Sequence, residues 1–255
     1  MVDIGAHVSG QDPLGAADRL GVPIVQIFNG KPSSWKPPPL REDAEELRAS
    51  PVEVYVHAPY LINVCSPKPN VRYGSRKILQ QHCAGAAAIG AAALIVHPGH
   101  AEDGIDEGVG RWGRTLEMLE SEVPVYLENT AGGENAVARR VEAMARLWDV
   151  VEGSKAGLEI GFCFDTCHAH AAGEDLADVV ERIRAITGRI DLVHANDSRD
   201  EPGTGADRHA NLGKGKMDPG AIRHMIRACE APVVVETPGA GHPADLEFVR
   251  AALQT

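Results

Sequence analysis

Along the chain, short runs of apolar and β-branched residues alternate with longer stretches in which apolar positions return every three or four residues. The short runs read as strands at Asp3 to His7, Ile24 to Phe28, Glu53 to His57, Ala93 to His97, Val123 to Glu128, Ile160 to Asp165, Ile190 to Asn196 and Pro232 to Glu236. Between them, Val137, Val141, Met144, Ala145 and Trp148 fall on one helical face, as do Val179, Ile183 and Ile186. Asp12-Pro13 and Asp218-Pro219 each pair an N-capping carboxylate with a proline at the first helical position, where no N–H is needed. A charged helix is expected from Arg41 to Arg48, after the stiff Pro37-Pro38-Pro39 connection. Alternation of this kind predicts a parallel (β/α)8 TIM barrel. An open doubly wound sheet would carry a glycine-rich phosphate loop after the first strand, and Gly5-Ala6-His7-Val8-Ser9 is not one. The 255 residues suit a single such domain, 1–255.

In a parallel barrel all C-terminal strand ends lie on the face that carries active sites. Here six consecutive strands end in His57, His97, Glu128, Asp165, His194 and Glu236, and the loops add His168, Asp207 and His209. One histidine at a strand end is more often a satisfied core residue than a ligand; a run of six strands ending in His, Asp or Glu is not read that way. Buried carboxylates without counter-charge would be strongly destabilising, so cations are expected among them. Imidazole nitrogens and carboxylate oxygens suit borderline divalent metals, and nine donors are enough for more than two ions at about three protein ligands each.

Composition changes this picture little. The net charge of −11 speaks against a nucleic-acid partner, because phosphate backbones are bound by basic surfaces. Bound divalent ions would reverse the sign on one face, however, and an acidic remainder does not prevent that. The five cysteines are odd in number and dispersed, and Cys163 and Cys167 have three residues between them. They read as small buried hydrophobes in a reducing compartment. No stretch approaches the roughly twenty apolar residues of a membrane span, and Met1-Val2-Asp3-Ile4 lacks a basic leader. A cytoplasmic protein without a membrane partner is expected, and a monomer. Trp112, Trp148 and Met118 are assigned to helix packing, His170, His224 and His242 to the surface, and His100 is set aside as a neighbour of His97 rather than a ligand.

Taken in order, His57-Ala-Pro-Tyr-Leu-Ile-Asn63, His97-Pro-Gly99, Leu127-Glu-Asn-Thr-Ala-Gly132, Phe164-Asp-Thr-Cys-His-Ala169, His194-Ala-Asn-Asp-Ser198, Asp207-Arg-His-Ala-Asn-Leu-Gly213 and Glu236-Thr-Pro238 resemble the motifs of the endonuclease IV family of apurinic/apyrimidinic endonucleases. The likeness runs from Ile4-Gly-Ala-His-Val-Ser9 to the last strand. It implies a trinuclear zinc site, with Mn²⁺ or Fe²⁺ as substitutes. One zinc would take His57, His97 and Glu128. A second would share Glu128 and add Asp165, His194 and Glu236, the set assigned the catalytic role. The third would take His168, Asp207 and His209. The implied reaction is hydrolysis of the phosphodiester 5′ to an abasic site in duplex DNA, leaving a 3′-hydroxyl and a 5′-deoxyribose phosphate, with trimming of blocked 3′ ends in many members. Tyr60-Leu61 matches the family's intercalating loop, and His7 is a further candidate for the phosphate face.

The chain departs from the family after the second strand. Phe28-Asn-Gly-Lys-Pro-Ser-Ser-Trp35 lacks the Asn, Arg and Gln side chains that members commonly place in the minor groove. That leaves Lys31 and Trp35 binding DNA in a different way, or weaker binding. The loop Gly133-Glu134-Asn135 is compact for the family as well. The rival reading is a sugar or sugar-phosphate isomerase or epimerase, which gathers one or two metals on the same kind of barrel. His168 with Asp207 and His209 is the set that separates the two. A non-catalytic scaffold would tolerate loss of ligands, and none is lost.

Overall fold

The eight strand-like runs become eight barrel strands, joined by two short strands that no run foretold, in the computed structural model, which describes residues 2–133, 135–154 and 157–254. Met1 and Glu134, the latter in the compact loop noted above, lie outside the described residues. The strands are β1 (Ile4–His7), β2 (Ile24–Phe28), β3 (Glu53–His57), β4 (Ala93–Val96), β5 (Val125–Glu128), β6 (Ile160–Asp165), β7 (Leu192–Ala195), β8 (Asp197–Ser198), β9 (His209–Ala210) and β10 (Val233–Val235). The order β1-β10-β7-β6-β5-β4-β3-β2 closes into a barrel in which every pairing is parallel, as the alternation predicts. The remaining pair, β8 and β9, makes a small antiparallel ribbon on the loop that follows β7.

Around the barrel run α1 (Pro13–Leu20), α2 (Ala44–Ala49), α3 (Pro69–Ala88), α4 (Ile105–Leu116), α5 (Val141–Glu152), α6 (Thr166–Ala172), α7 (Val179–Thr187), α8 (Pro219–Cys229) and α9 (His242–Gln254). Both expected proline-led starts are present: Asp12 accepts from Gly15 N at 3.0 Å and Asp218 from Ala221 N at 2.8 Å. Among the described residues no helix is long and apolar enough to cross a membrane.

Period-two alternation divides each strand between two cores. One set of side chains, including Val25, Val56, Leu94, Val125 and Val193, joins the helices in a large aliphatic cluster. The other set, including Ile24, Tyr55, Ile95, Tyr126, Cys163, Leu192 and Val234, packs separately as a plug within the barrel. Gly161 belongs to this second set by register, and a Cβ there would meet the Tyr126 ring at 2.5 Å. The plug closes the barrel below the strand ends, so the polar residues one step further along each strand sit on a packed floor.

Four local expectations are corrected. Val137 is fully buried but precedes α5, which starts at Val141 after the extended Arg140; the apparent helical period there spans a loop and a helix. The charged helix begins at Ala44, not Arg41, because Arg41 pairs with Asp43 (Nη2 to Oδ2 2.6 Å) in the connection before it. Met118 lies past the end of α4 and is 58% exposed, whereas Trp112 and Trp148 are buried as expected. His170 and His242 are buried rather than on the surface: their Nε2 atoms bond to Asp200 O and Thr237 O, both at 3.0 Å. All five cysteines are buried and unbridged.

Candidate metal centre

The strands deliver their terminal residues to one small volume. His57 closes β3, Glu128 closes β5, Asp165 closes β6 and His194 lies in β7, while His97 and Glu236 follow β4 and β10 by one residue. The side chain of Asp165 caps α6 by accepting from His168 N at 2.7 Å, which places His168 on the first turn of that helix. Residues Asp207 and His209 arrive on the loop that β8 and β9 fold back, with His209 at the start of β9.

Glu128 stands at the middle and faces two ways. Its Oε2 is 3.1 Å from His57 Nε2 and 3.0 Å from His97 Nε2. Its Oε1 is 3.0 Å from His194 Nδ1 and 3.3 Å from His168 Nδ1. Glu236 Oε2 approaches the same His194 Nδ1 at 3.1 Å. On the other side, Asp207 Oδ1 lies 3.2 Å from His168 Nε2 and 3.1 Å from His209 Nε2, and Asp165 Oδ2 is 3.7 Å from His209 Nε2. Donor atoms lie within 4.8 Å of one another in the groups His57-His97-Glu128 and Glu128-Asp165-His194-Glu236. Two further groups, Asp165-His168-His209 and Cys167-Asp207-His209, divide the third expected set between them and bring in the thiol of Cys167, a residue expected only to fill the core.

Protonation follows from crowding. Burial disfavours charge on His194, yet Glu236 and Glu128 outweigh it there and hold its pKa up at about 9. Burial also opposes His209, where Asp207 and Asp165 prevail and again raise it to about 9. His168 is raised well above the usual histidine range against the same penalty, by Asp165, Asp207 and Glu128. The histidines return the effect: Glu128, Glu236 and Asp207 are lowered despite burial. Asp165 alone among the carboxyls is raised, because burial there exceeds the pull of His168 and His209. The carboxylates thus favour protons on His168, His194 and His209, and a divalent cation bound here would compete with those protons for the imidazole nitrogens.

The donor set fits metal ions by an independent criterion. His168 Nε2 and His209 Nε2 are buried and have no hydrogen-bond partner, although both lie near Asp207. Their opposite nitrogens are engaged: His168 Nδ1 with Asn129 O at 2.8 Å and His209 Nδ1 with Glu236 O at 3.2 Å. His57 repeats the pattern, Nδ1 to Ala58 O at 2.7 Å. A backbone carbonyl that takes the hydrogen on Nδ1 fixes the ring and presents Nε2 as the ligand atom.

Above the cluster opens a cavity of about 440 Å³ lined by seven of the nine candidate ligands, all but the deeper Asp165 and His194, together with His7, Phe28 and Tyr60. A second cavity of about 400 Å³ adjoins it, walled by Leu61, Asn63, Lys68, His100 and Thr130, and shares Tyr60, His97, His168 and Asp207. Tyr60, 57% exposed, therefore stands on the ridge between the two, its ring edge-on to Phe28 with centroids 5.1 Å apart. His7 lines the first cavity. Lys31 and Trp35 line neither; both are exposed, and Trp35 lies close to Gly74 of α3.

Several polar residues outside the nine candidate ligands hold this site. Asn129 exchanges two bonds with the backbone of Asp165. Asn196 donates to Asp165 Oδ2 at 2.7 Å and accepts from Glu236 N. Gln26, fully buried in β2, contacts His7, His194 and Glu236. The only sequence signal for Gln26 is a lone amide inside an apolar strand.

A family model described as a xylose isomerase-like TIM barrel matches residues 14–252. A protein of Mycobacterium tuberculosis named probable endonuclease 4 is 58% identical over 249 residues, which is 97% of either chain. Among solved structures, endonuclease IV from Thermus thermophilus superposes with a TM-score of 0.82 at 31% identity, covering 99% of both chains. A D-tagatose 3-epimerase-like protein superposes with a TM-score of 0.80 but only 18% identity, covering 99% of this chain and 97% of that one, a likeness of fold alone.

Proposed function

The chain belongs to the endonuclease IV family, and from that premise we propose that it hydrolyses the phosphodiester on the 5′ side of abasic sites in duplex DNA, using zinc held by nine side chains. The supporting observation is Asp207 Oδ1 lying between His168 Nε2 and His209 Nε2, both buried and without hydrogen-bond partners. This is the donor set that a one- or two-metal sugar isomerase would not need. His57 and His97 on one oxygen of Glu128, and His194 with Glu236 and Asp165 about the other, supply two more sets that share that carboxylate. When bound, the ions supply a Lewis acid that makes water nucleophilic near neutral pH and neutralise charge developing on the phosphate and its leaving oxygen.

The chain's own residues provide the rest. Glu128, Asp165, His194 and Glu236 act as fixed ligands at the catalytic pair, so no separate histidine base is called for. Tyr60 and Leu61 stand at the lip, where an aromatic and an aliphatic wedge fill the gap left by an extruded nucleotide, and lost stacking at an abasic site lowers the cost of extrusion. His7 offers a hydrogen-bond donor to the phosphate face. Lys31 and Trp35 sit on the exposed loop after β2 and meet the duplex outside the metal cavity. The protein works as one barrel domain and as a monomer; its unbridged cysteines suit the reducing cytoplasm.

The test is a labelled duplex carrying one abasic analogue, incubated with protein as purified and after prolonged chelation. Incision 5′ to the analogue that yields a 3′-hydroxyl and is lost on chelation is the expected result. Turnover of ketoses or their phosphates with no incision would replace this reading by the isomerase one.

A further inference from the structure

His57, His168 and His209 each have a backbone carbonyl as the hydrogen-bond partner of Nδ1. His194 stands differently, because it lies inside β7, where neighbouring carbonyls are engaged in the strand ladder. Something other than the backbone must fix its ring. Gln26 is the single polar residue of β2, and no solvent reaches it. Its Oε1 lies 2.8 Å from His194 Nε2, and its Nε2 lies 2.5 Å from Glu236 Oε1 and 3.0 Å from His7 Nδ1.

We infer that Gln26 is the positioning residue that sets the tautomer of His194 and the orientation of Glu236 for metal binding, an inference that rests on the metal centre proposed above. The amide has only one workable orientation. Turned over, it would place its oxygen against Glu236 Oε1 with no hydrogen between them, so the nitrogen faces the carboxylate. The oxygen then faces His194 Nε2 and must accept, which puts the hydrogen of neutral His194 on Nε2. The lone pair is left on Nδ1, the atom that faces Glu128 Oε1 and Glu236 Oε2. By the same logic His7 accepts at Nδ1 and keeps a hydrogen on Nε2. One buried amide thus dictates which nitrogen of His194 is the ligand and, through the same atoms, ties Glu236 and His7 to it. An outer partner of this kind ordinarily changes metal affinity by about 10–100-fold.

Long-range ¹H–¹⁵N correlation spectra of the zinc-loaded protein with labelled histidine, together with zinc affinity by chelator competition, test this. In the unaltered protein His194 should carry its hydrogen on Nε2; a hydrogen on Nδ1 overturns the inference without any variant. Gln26→Met deletes both ends of the amide and should lower zinc affinity about 10–100-fold and erase the His194 Nε2–H signature, with His57 and His209 signals retained. Gln26→Glu keeps an acceptor for His194 but loses the donor to Glu236, so the signature should persist while affinity falls. Wild-type affinity in Gln26→Met would overturn the role of Gln26 while leaving the metal centre standing. An unaltered protein that binds no zinc would instead remove the metal centre itself.

Discussion

Asp245 never touches the cluster, yet it holds the loop that carries His209. It is 1% exposed and accepts from Leu212 N at 2.9 Å, Asn211 Nδ2 at 2.7 Å and the hydroxyl of Thr237. Removing the carboxylate leaves Leu212 N and the Thr237 hydroxyl buried and unpaired, at about 1–3 kcal/mol each, while Asn211 keeps its bond to Pro238 O. Asp245→Ala should therefore lower unfolding stability by about 3 kcal/mol in denaturant titration and weaken the metal held through Asp207 and His209, while the set around Glu128 keeps its metal. Loss of every metal at once, or none, would contradict that assignment. The division between what sequence shows at this scale and what it hides is physical. Six of the nine candidate ligands stand out because His, Asp and Glu are rare at the ends of apolar strands, and His168, Asp207 and His209 because they crowd the stretches just beyond. Their supports do not: an Asn129 carbonyl, an Ala58 carbonyl or the single amide of Gln26 leaves no pattern until the barrel closes and brings chain positions 26, 194 and 236 together.

At the scale of elements, α3 contains a titratable group that no function requires. His82 is 3% exposed and its Nδ1 has no hydrogen-bond partner, and burial alone lowers its pKa from 6.5 to about 4. Because the folded value is below the unfolded one, the contribution to stability is fully present above pH 6.5 and is lost as pH falls towards 4. The full effect is about 3 kcal/mol. His82→Leu should remove that increment of acid sensitivity, read as the difference between unfolding free energies at pH 7 and pH 4. An unchanged pH dependence would place the acid sensitivity elsewhere. The eight barrel strands are legible as apolar, β-branched runs, three with both ends as expected and the others with ends one or two residues inside the expected ones. Element boundaries were not legible at β8 and β9, whose two-residue lengths are below any periodic signal, nor at Val137, which is buried from a loop and so mimics a helical position.

For the whole molecule, net charge and fold are both poor guides to function, and the site decides. A chain of net charge −11 would not be taken for a DNA-binding protein by its surface, and an epimerase-like protein shares its barrel at a TM-score of 0.80. What distinguishes this chain is the completeness of a donor set spread over β3 to β10 and the loop after β7, with five histidines and four carboxylates meeting on the packed barrel plug. That convergence is a property of topology: residues from His57 to Glu236 become neighbours only because parallel closure sends every strand end to one face. The central claim is that these nine side chains form one multimetal cage on which incision depends. It is tested most directly by measuring metal per protein and abasic-site incision in the same samples, for the unaltered chain, Glu128→Gln and His209→Ala. The account predicts about three tightly held ions in the unaltered protein, loss of at least one ion in His209→Ala and of more in Glu128→Gln, with incision falling at least about 100-fold in both. Full incision by either variant, or fewer than two tightly held ions in the unaltered protein, would contradict it.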